Sequence, residues 1–208
     1  MTSLYFYKLT ADNNGAPCLD KNGSLLSLAI CKPMIRSTAE PGDLIFGFAA
    51  DSLCDDNRLL YIARITAKER NGGYYTKLEY LQREDCIYER RGDRFAWRDG
   101  ALHHGCDDIE HDIGMHPNYE KASVLLSSDF RYFGKNGSAD YKNRYPLIKE
   151  AIEKLRDGHR VNHDEQLRTE LQKLKDQVWE ETRQDEIGEP TSGSRRGVCH
   201  RAKSCGVV

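Results

Sequence analysis

Apolar residues fall in short runs separated by polar, glycine-rich or proline-bearing segments, and the period of each run predicts its element. Leu4 to Thr10 is aromatic-rich and extended, and the Asp, Asn and Gly residues of Ala11 to Gly23 predict a loop after that strand. The run Leu25 to Cys31 stops at Lys32-Pro33. Pro33 suits the first turn of a short helix carrying Met34, Ile35 and Arg36, which Pro41-Gly42 ends. Leu44 to Phe48 and Leu59 to Thr66 read as two strands that pair with each other, and Tyr74 to Leu81 fits either a strand or a helix. Cys86 to Arg90 and Arg94 to Arg98 flank Gly92-Asp93 as a hairpin. Ala101 to Tyr119 lacks a period and reads as a long surface loop, of the kind that often carries function, before Val124 to Phe133 returns to strand character.

The C-terminal third has the helical period. Pro146 opens one amphipathic helix through Leu147, Ile148, Ala151, Ile152 and Leu155, with Gly158 past its end. Asn162 and Glu165 form a capping-box pattern before Leu167, Leu171, Leu174 and Val178, a stripe too short for a sustained heptad and therefore expected to be core, not a dimer seam. The fold class expected is α+β: a small barrel or curled mixed sheet with two packed C-terminal helices. Residues 1–182 are expected to form a single domain, and residues 183–208, rich in Gly, Ser, Pro and Arg, a disordered tail. The terminal Cys205-Gly206-Val207-Val208 superficially matches a prenylation box, but its last residue is atypical and the match is discounted.

Composition narrows the function classes. A formal net charge of -2 excludes a protein that coats DNA through bulk positive charge, so any nucleic-acid contact must come from a local patch. No apolar run approaches the roughly 20 residues of a membrane span, and the N-terminus lacks signal-peptide blocks, so a cytoplasmic location without membrane partners is expected. Seven cysteines at irregular spacing favour reduced thiols over a disulfide framework, with Cys18, Cys31, Cys54 and Cys86 free.

Several groups could carry chemistry. His103, His104, Cys106, Asp107, Asp108, His111 and His116 include every ligand type zinc uses, but their spacing matches no closed zinc motif; a solvated loop with histidines bonded to backbone is the alternative, and no metal or other cofactor is expected. Cys18 and Cys31 lie near strand ends where a cleft could form, yet no base lies nearby in sequence to activate either thiol. Glycine-rich phosphate loops, GxSxG and HExxH are absent. The segment Ser127 to Gly134 ends a strand with a carboxylate, a guanidinium and three aromatics. Strand alternation puts Asp129 and Arg131 on one face and Phe130 and Tyr132 on the other, able to hydrogen-bond a base edge and to stack. A surface ion pair over core aromatics is the plainer alternative. Lys32 and Arg36, four apart, share a helical face that could hold phosphate or simply be solvated.

Four segments carry a family resemblance: Tyr7 to Cys18, Cys31 to Arg36, Pro41 to Phe48, and Asp129 to Gly134. In order and residue content they resemble the nucleotide modification associated domain, second family, of bacteria and phages, and the likeness runs from about Tyr5 to Trp179. It implies a place in a DNA modification or phage-defence pathway. The short helix, Gly42-Asp43 opening a strand, and Leu60 to Ile65 as its partner also look like PUA-like, EVE and YTH domains, although Trp97 and Trp179 do not fall where a YTH tryptophan cage requires. The resemblance implies a binding module for a modified base in DNA, RNA or a free nucleotide. In that reading Tyr132 or Trp97 stacks on the base, Asp129 reads its edge, and Lys32, Arg36 or Arg131 holds phosphate. The alternative is an enzyme that installs or edits a base modification, with Asp129 as general base and Cys18 or the His103 to His116 loop completing the site. An adaptor that binds protein partners of a modification system is the third possibility.

Overall fold

The computed structural model describes residues 2–156 and 158–191. Strands β1 (Leu4–Leu9), β2 (Cys18–Leu19) and β3 (Leu26–Leu28) precede helix α1 (Pro33–Thr38). Next come β4 (Leu44–Ala49), β5 (Leu59–Arg64), β6 (Ala67–Glu69), the hairpin strands β7 (Tyr88–Arg91) and β8 (Arg94–Trp97), and helix α2 (Ile109–Ile113). The chain continues through β9 (Val124–Ser127), β10 (Asp129–Tyr132), α3 (Tyr141–Arg144), α4 (Pro146–Lys154), β11 (His159–Arg160) and α5 (Glu165–Glu181). It divides into two compact units. One comprises Met1–Asp12, Pro41–Thr66 and Ser127–Thr191; the described part of the other comprises Asn13–Glu40 and Ala67–Leu126.

The first unit is a five-stranded mixed sheet in the order β10-β5-β4-β1-β11, with β1 and β4 parallel and the other pairs antiparallel. Alternation sends Leu4, Phe6, Leu44, Phe46 and Ile62 to one face, where they pack with Ile148, Ile152, Leu167, Leu171 and Leu174 of α4 and α5. The stripe on α5 is therefore core, as its length implied. Pro146 starts α4 without a local side-chain cap; Glu170 of α5 instead accepts from the Leu147 and Ile148 N–H groups at 2.9 and 3.1 Å, so one helix satisfies the other's orphan donors. The cap of α5 is Asp164, whose carboxylate accepts from the Leu167 N–H at 2.8 Å, and not Asn162 as the capping-box pattern suggested. Residues 183–191 bond to this unit: Gly188 N–H donates to the Tyr132 carbonyl at 2.9 Å. The rest of the expected tail, including Cys205 to Val208, lies outside the described residues.

The second unit has a four-stranded sheet in the order β2-β3-β9-β6 and the separate β7-β8 hairpin, which falls where Gly92-Asp93 placed it. Its core is aromatic: Tyr74, Tyr75, Tyr88, Phe95 and Tyr119 meet edge-on along a chain of ring contacts. A polar knot lies within it. Asp85, fully buried, accepts from Ser27 Oγ at 2.5 Å and Tyr74 Oη at 2.6 Å and pairs with Arg83 Nε at 3.6 Å. A buried carboxylate needs such partners, because an unpaired one would cost several kcal/mol, roughly 3–5.

Several expectations are corrected or refined. Among the described residues no sheet closes into a barrel, because β10 and β11 are the free edges of the larger sheet; the α+β class and the packed C-terminal helices hold. The expected loop 101–119 folds locally into a 3₁₀ turn at Cys106–Asp108 running into α2, its short period hidden by the polar residues between Ile109 and Ile113. Tyr74 to Leu81 becomes two 3₁₀ turns, Gly73–Tyr75 and Leu78–Tyr80. The strand character expected at Val124 to Phe133 is present as β9 and β10, which part at exposed Ser128 and serve different sheets. Among the described residues no helix is long and apolar enough to cross a membrane.

Candidate active site: a cysteine, a histidine and an aspartate

The apolar run ending in β3 delivers Cys31 to a backbone position that L-residues rarely take. Cys31 and Lys32 have φ of +56° and +43°, and His104 has φ of +50°. Left-handed backbone at a non-glycine residue costs on the order of 1–3 kcal/mol and persists only where surroundings enforce it. Here the enforcing group is Arg36. Its side chain is fully buried, and its guanidinium donates to four carbonyls: Cys31 at 2.7 Å, Asp112 at 2.6 Å, Lys121 at 2.8 Å and Ser123 at 2.7 Å. One planar cation thus ties the turn before α1 to the end of α2 and to the approach to β9.

The tie brings three side chains into line. His104 Nε2 lies 3.1 Å from Cys31 Sγ, and His104 Nδ1 lies 2.6 Å from Asp112 Oδ2. Asp112 is fully buried and also accepts from the Tyr88 hydroxyl at 2.7 Å and, through Oδ1, from the Cys31 N–H at 3.1 Å. The carboxylate therefore orients both the imidazole and the backbone of the thiol-bearing residue. Cys31 itself is half-buried, with access to solvent.

Electrostatics follow from this arrangement. Burial alone would lower the His104 pKa, but the hydrogen bonds to Asp112 and Cys31 outweigh it and push it up to about 10. Burial would raise the Asp112 carboxyl; the His104 hydrogen bond and charge, with help from Tyr88 and Arg36, hold it below the usual carboxylate range. At neutral pH His104 is an imidazolium that donates through Nδ1–H to Asp112 and through Nε2–H to Cys31 Sγ. A cation at that distance is the environment in which a cysteine acts as a nucleophile. Among the other described free cysteines, Cys86 meets Arg98 only at 3.8 Å, and burial dominates. Burial pushes Cys18 well up, Cys86 up to about 11, and Cys54 upward as well. All four cysteines expected to be free are free; Cys106 departs from the expectation of reduced thiols and is disulfide-bonded.

The six residues proposed from sequence divide between the two units. Lys32, Arg36 and Trp97 are in the second; Asp129, Arg131 and Tyr132 are in the first. Arg36 is fully buried, and four of its five N–H groups donate to backbone carbonyls. Lys32 is the half-buried residue capping α1, next to Cys31. Trp97 packs against the aromatic core and donates from Nε1 to the His103 carbonyl at 3.4 Å. Asp129 and Arg131 share a face of β10, as alternation predicted, but each has its own partner. Asp129 accepts from Arg64 Nε and Trp179 Nε1, both at 2.9 Å, and Arg131 lies 4.6 Å over the Trp179 ring. Tyr132 is buried on the opposite face and donates to Asp12 at 2.5 Å. Cys18 is sealed in the core, which removes it as a nucleophile, whereas Cys31 acquires its base from the His103 to His116 segment, 73 residues away in sequence. Burial lowers the His103 pKa. Among the described residues no group of three His, Cys, Asp or Glu side chains is arranged to hold a metal ion; His104 is engaged through both nitrogens.

No curated protein and no solved structure matches this chain. A family model described as nucleotide modification associated domain 2 matches residues 1–196, nearly the whole sequence. The chain therefore belongs to the nucleotide modification associated domain 2 family.

Proposed function

We propose that this protein is a cysteine-dependent enzyme of a nucleotide-modification pathway, acting by acyl transfer on an N- or O-acylated nucleobase or nucleotide. The observation that carries the proposal is the alignment of Cys31 Sγ, His104 and Asp112 at 3.1 and 2.6 Å. Family membership supplies the nucleotide context, and the site supplies the reaction type.

The chemistry balances with these groups alone. His104 Nε2, 3.1 Å from Cys31 Sγ, carries the proton while the sulfur attacks the acyl carbon, forming a C–S bond. Collapse breaks the bond from that carbon to the base nitrogen or sugar oxygen, and His104 Nε2–H protonates the leaving group. Water then attacks the thioester with His104 as base, releasing a carboxylic acid and restoring the thiol; an amine in place of water gives transfer in place of hydrolysis. Asp112 holds the imidazole tautomer and orientation throughout. We place the protein in the cytoplasm, with the Cys106 disulfide as the exception among otherwise reduced thiols in the described residues.

Incubation with a panel of N-acylated and O-acylated nucleosides and nucleotides, followed by mass spectrometry of small molecules and intact protein, tests the proposal. Loss of an acyl group, with a transient adduct on the Cys31 peptide, is expected. Unaltered substrates together with an unmodified Cys31 would reject it. The reading as a pure base-recognition module draws no support from Arg36, which is buried with four of its five N–H groups on backbone carbonyls.

A further inference from the structure

The five-stranded sheet carries hydroxyls where a sheet core ordinarily carries aliphatic groups. Tyr7, Gly47, Tyr61 and Tyr132 are cross-strand neighbours in one row over β1, β4, β5 and β10. Gly47 makes room: a Cβ there would sit 2.1 Å from the Tyr61 ring. The Tyr7 and Tyr61 hydroxyls meet at 2.9 Å, and the Tyr132 hydroxyl donates to Asp12 Oδ1.

Asp12 is 1% exposed. Its second oxygen, Oδ2, receives both donors of one residue, the Thr191 N–H at 2.9 Å and the Thr191 Oγ1–H at 2.8 Å. Thr191 ends a segment without regular secondary structure that lies against β10 and the turn after it. Gly188 N–H donates to the Tyr132 carbonyl at 2.9 Å, and Lys135 N–H donates to the Glu189 carbonyl at 2.8 Å. Contact is close because side chains are missing: a Cβ on Gly188 would lie 1.8 Å from the Phe133 carbonyl oxygen, and one on Gly134 1.9 Å from that of Glu189.

None of residues 188–191 is buried. A segment held by a few hydrogen bonds and little apolar burial opens at low cost. What it covers is a desolvated carboxylate already oriented by a tyrosine, a group suited to accept a pair of adjacent donors from a planar amide edge.

We infer that Asp12 and Tyr132 form a binding site for a guanine-type base edge, which presents two neighbouring N–H donors, and that Gly188–Thr191 is an intramolecular cap filling that site by mimicry. The inference goes beyond the acyl-transfer reading and stands on different residues.

The test uses the full chain. Gly188→Ala forbids the close approach to Phe133, and hydrogen exchange at Lys135 and Thr191 reports whether the cap has opened. Faster exchange at both amides is expected, with affinity for guanosine monophosphate at least tenfold above that of the unsubstituted protein and no comparable gain for adenosine monophosphate. Asp12→Asn added to Gly188→Ala should abolish the gain. A Gly-Glu-Pro-Thr peptide supplied in trans to the Gly188→Ala protein should compete with guanosine monophosphate, which keeps the test decisive if the doubly substituted protein does not fold. Unchanged exchange in Gly188→Ala overturns the cap. Fast exchange without selective guanosine monophosphate binding, or binding with which the peptide does not compete, overturns the site.

Discussion

The two units bury polar groups in different ways. In the first, helix-facing positions are aliphatic or aromatic, and the opposite face is joined by neutral tyrosine hydroxyls around the Asp12 carboxylate. In the second, formal charges run through the core: Arg36, Asp85 and Asp112 are each fully buried and each hold several partners. Neutral hydroxyl pairs are worth about 0.5–1.5 kcal/mol apiece, whereas breaking a buried ionic set by removing one member costs about 3–5 kcal/mol. The first unit is therefore organised by periodicity and the second by charge, and the Cys31, His104 and Asp112 set lies in the second.

Perturbations should separate the two. The largest effect is expected from Cys31→Ser, which should reduce turnover of an acylated nucleotide by about 10⁴-fold or more while leaving the melting temperature unchanged. An intact rate would show that the thiol takes no part. Arg36→Met should destabilise the second unit by about 3–5 kcal/mol in denaturant titration, since four carbonyls lose one buried donor group.

The pH dependence of stability should also come from the second unit. His104 is raised from its ordinary value to about 10, so its contribution is complete below about pH 6.5 and lost as pH rises through about 10. Asp112 is lowered, so its contribution is present above its unfolded value and lost as pH falls through the folded one. Melting temperatures measured across pH should show this plateau in the unsubstituted protein, and His104→Gln should remove the alkaline fall.

In the first unit, Gly47→Ala should cost about 1–3 kcal/mol through overlap with the Tyr61 ring. Tyr7→Phe, which deletes one hydroxyl of a neutral pair, should cost only about 0.5–1.5 kcal/mol. A Tyr7→Phe loss equal to that of Arg36→Met would erase the contrast between the units.

The same contrast explains what could be read from sequence. The strands Leu4–Leu9, Leu44–Ala49 and Leu59–Arg64 and both long helices follow from periodicity, because one apolar face dictates each register. The second unit has strands of two to four residues and helices of six and five, too short for a period to emerge, and its order comes from side chains far apart in the chain. Cys31 was visible as a thiol at a strand end and His104 as one of several histidines, yet their pairing depends on Arg36 reaching four carbonyls, which no local pattern encodes. Alternation correctly put Asp129 and Arg131 on one face of β10, but it could not show that Trp179 of α5 occupies that face or that Tyr132 points to Asp12. The left-handed backbone at Cys31 and Lys32, just before Pro33, is the local trace of the site, and only coordinates reveal it.

The relay is tested most directly by the rate at which iodoacetamide alkylates Cys31 across pH 5 to 9, read by peptide mass spectrometry with Cys54 as the internal comparison. Activation of the thiol by His104 at 3.1 Å predicts Cys31 reacting at pH 6 at least tenfold faster than Cys54, with His104→Gln abolishing the difference. Equal rates at both cysteines, or an advantage for Cys31 that survives His104→Gln, would contradict the account.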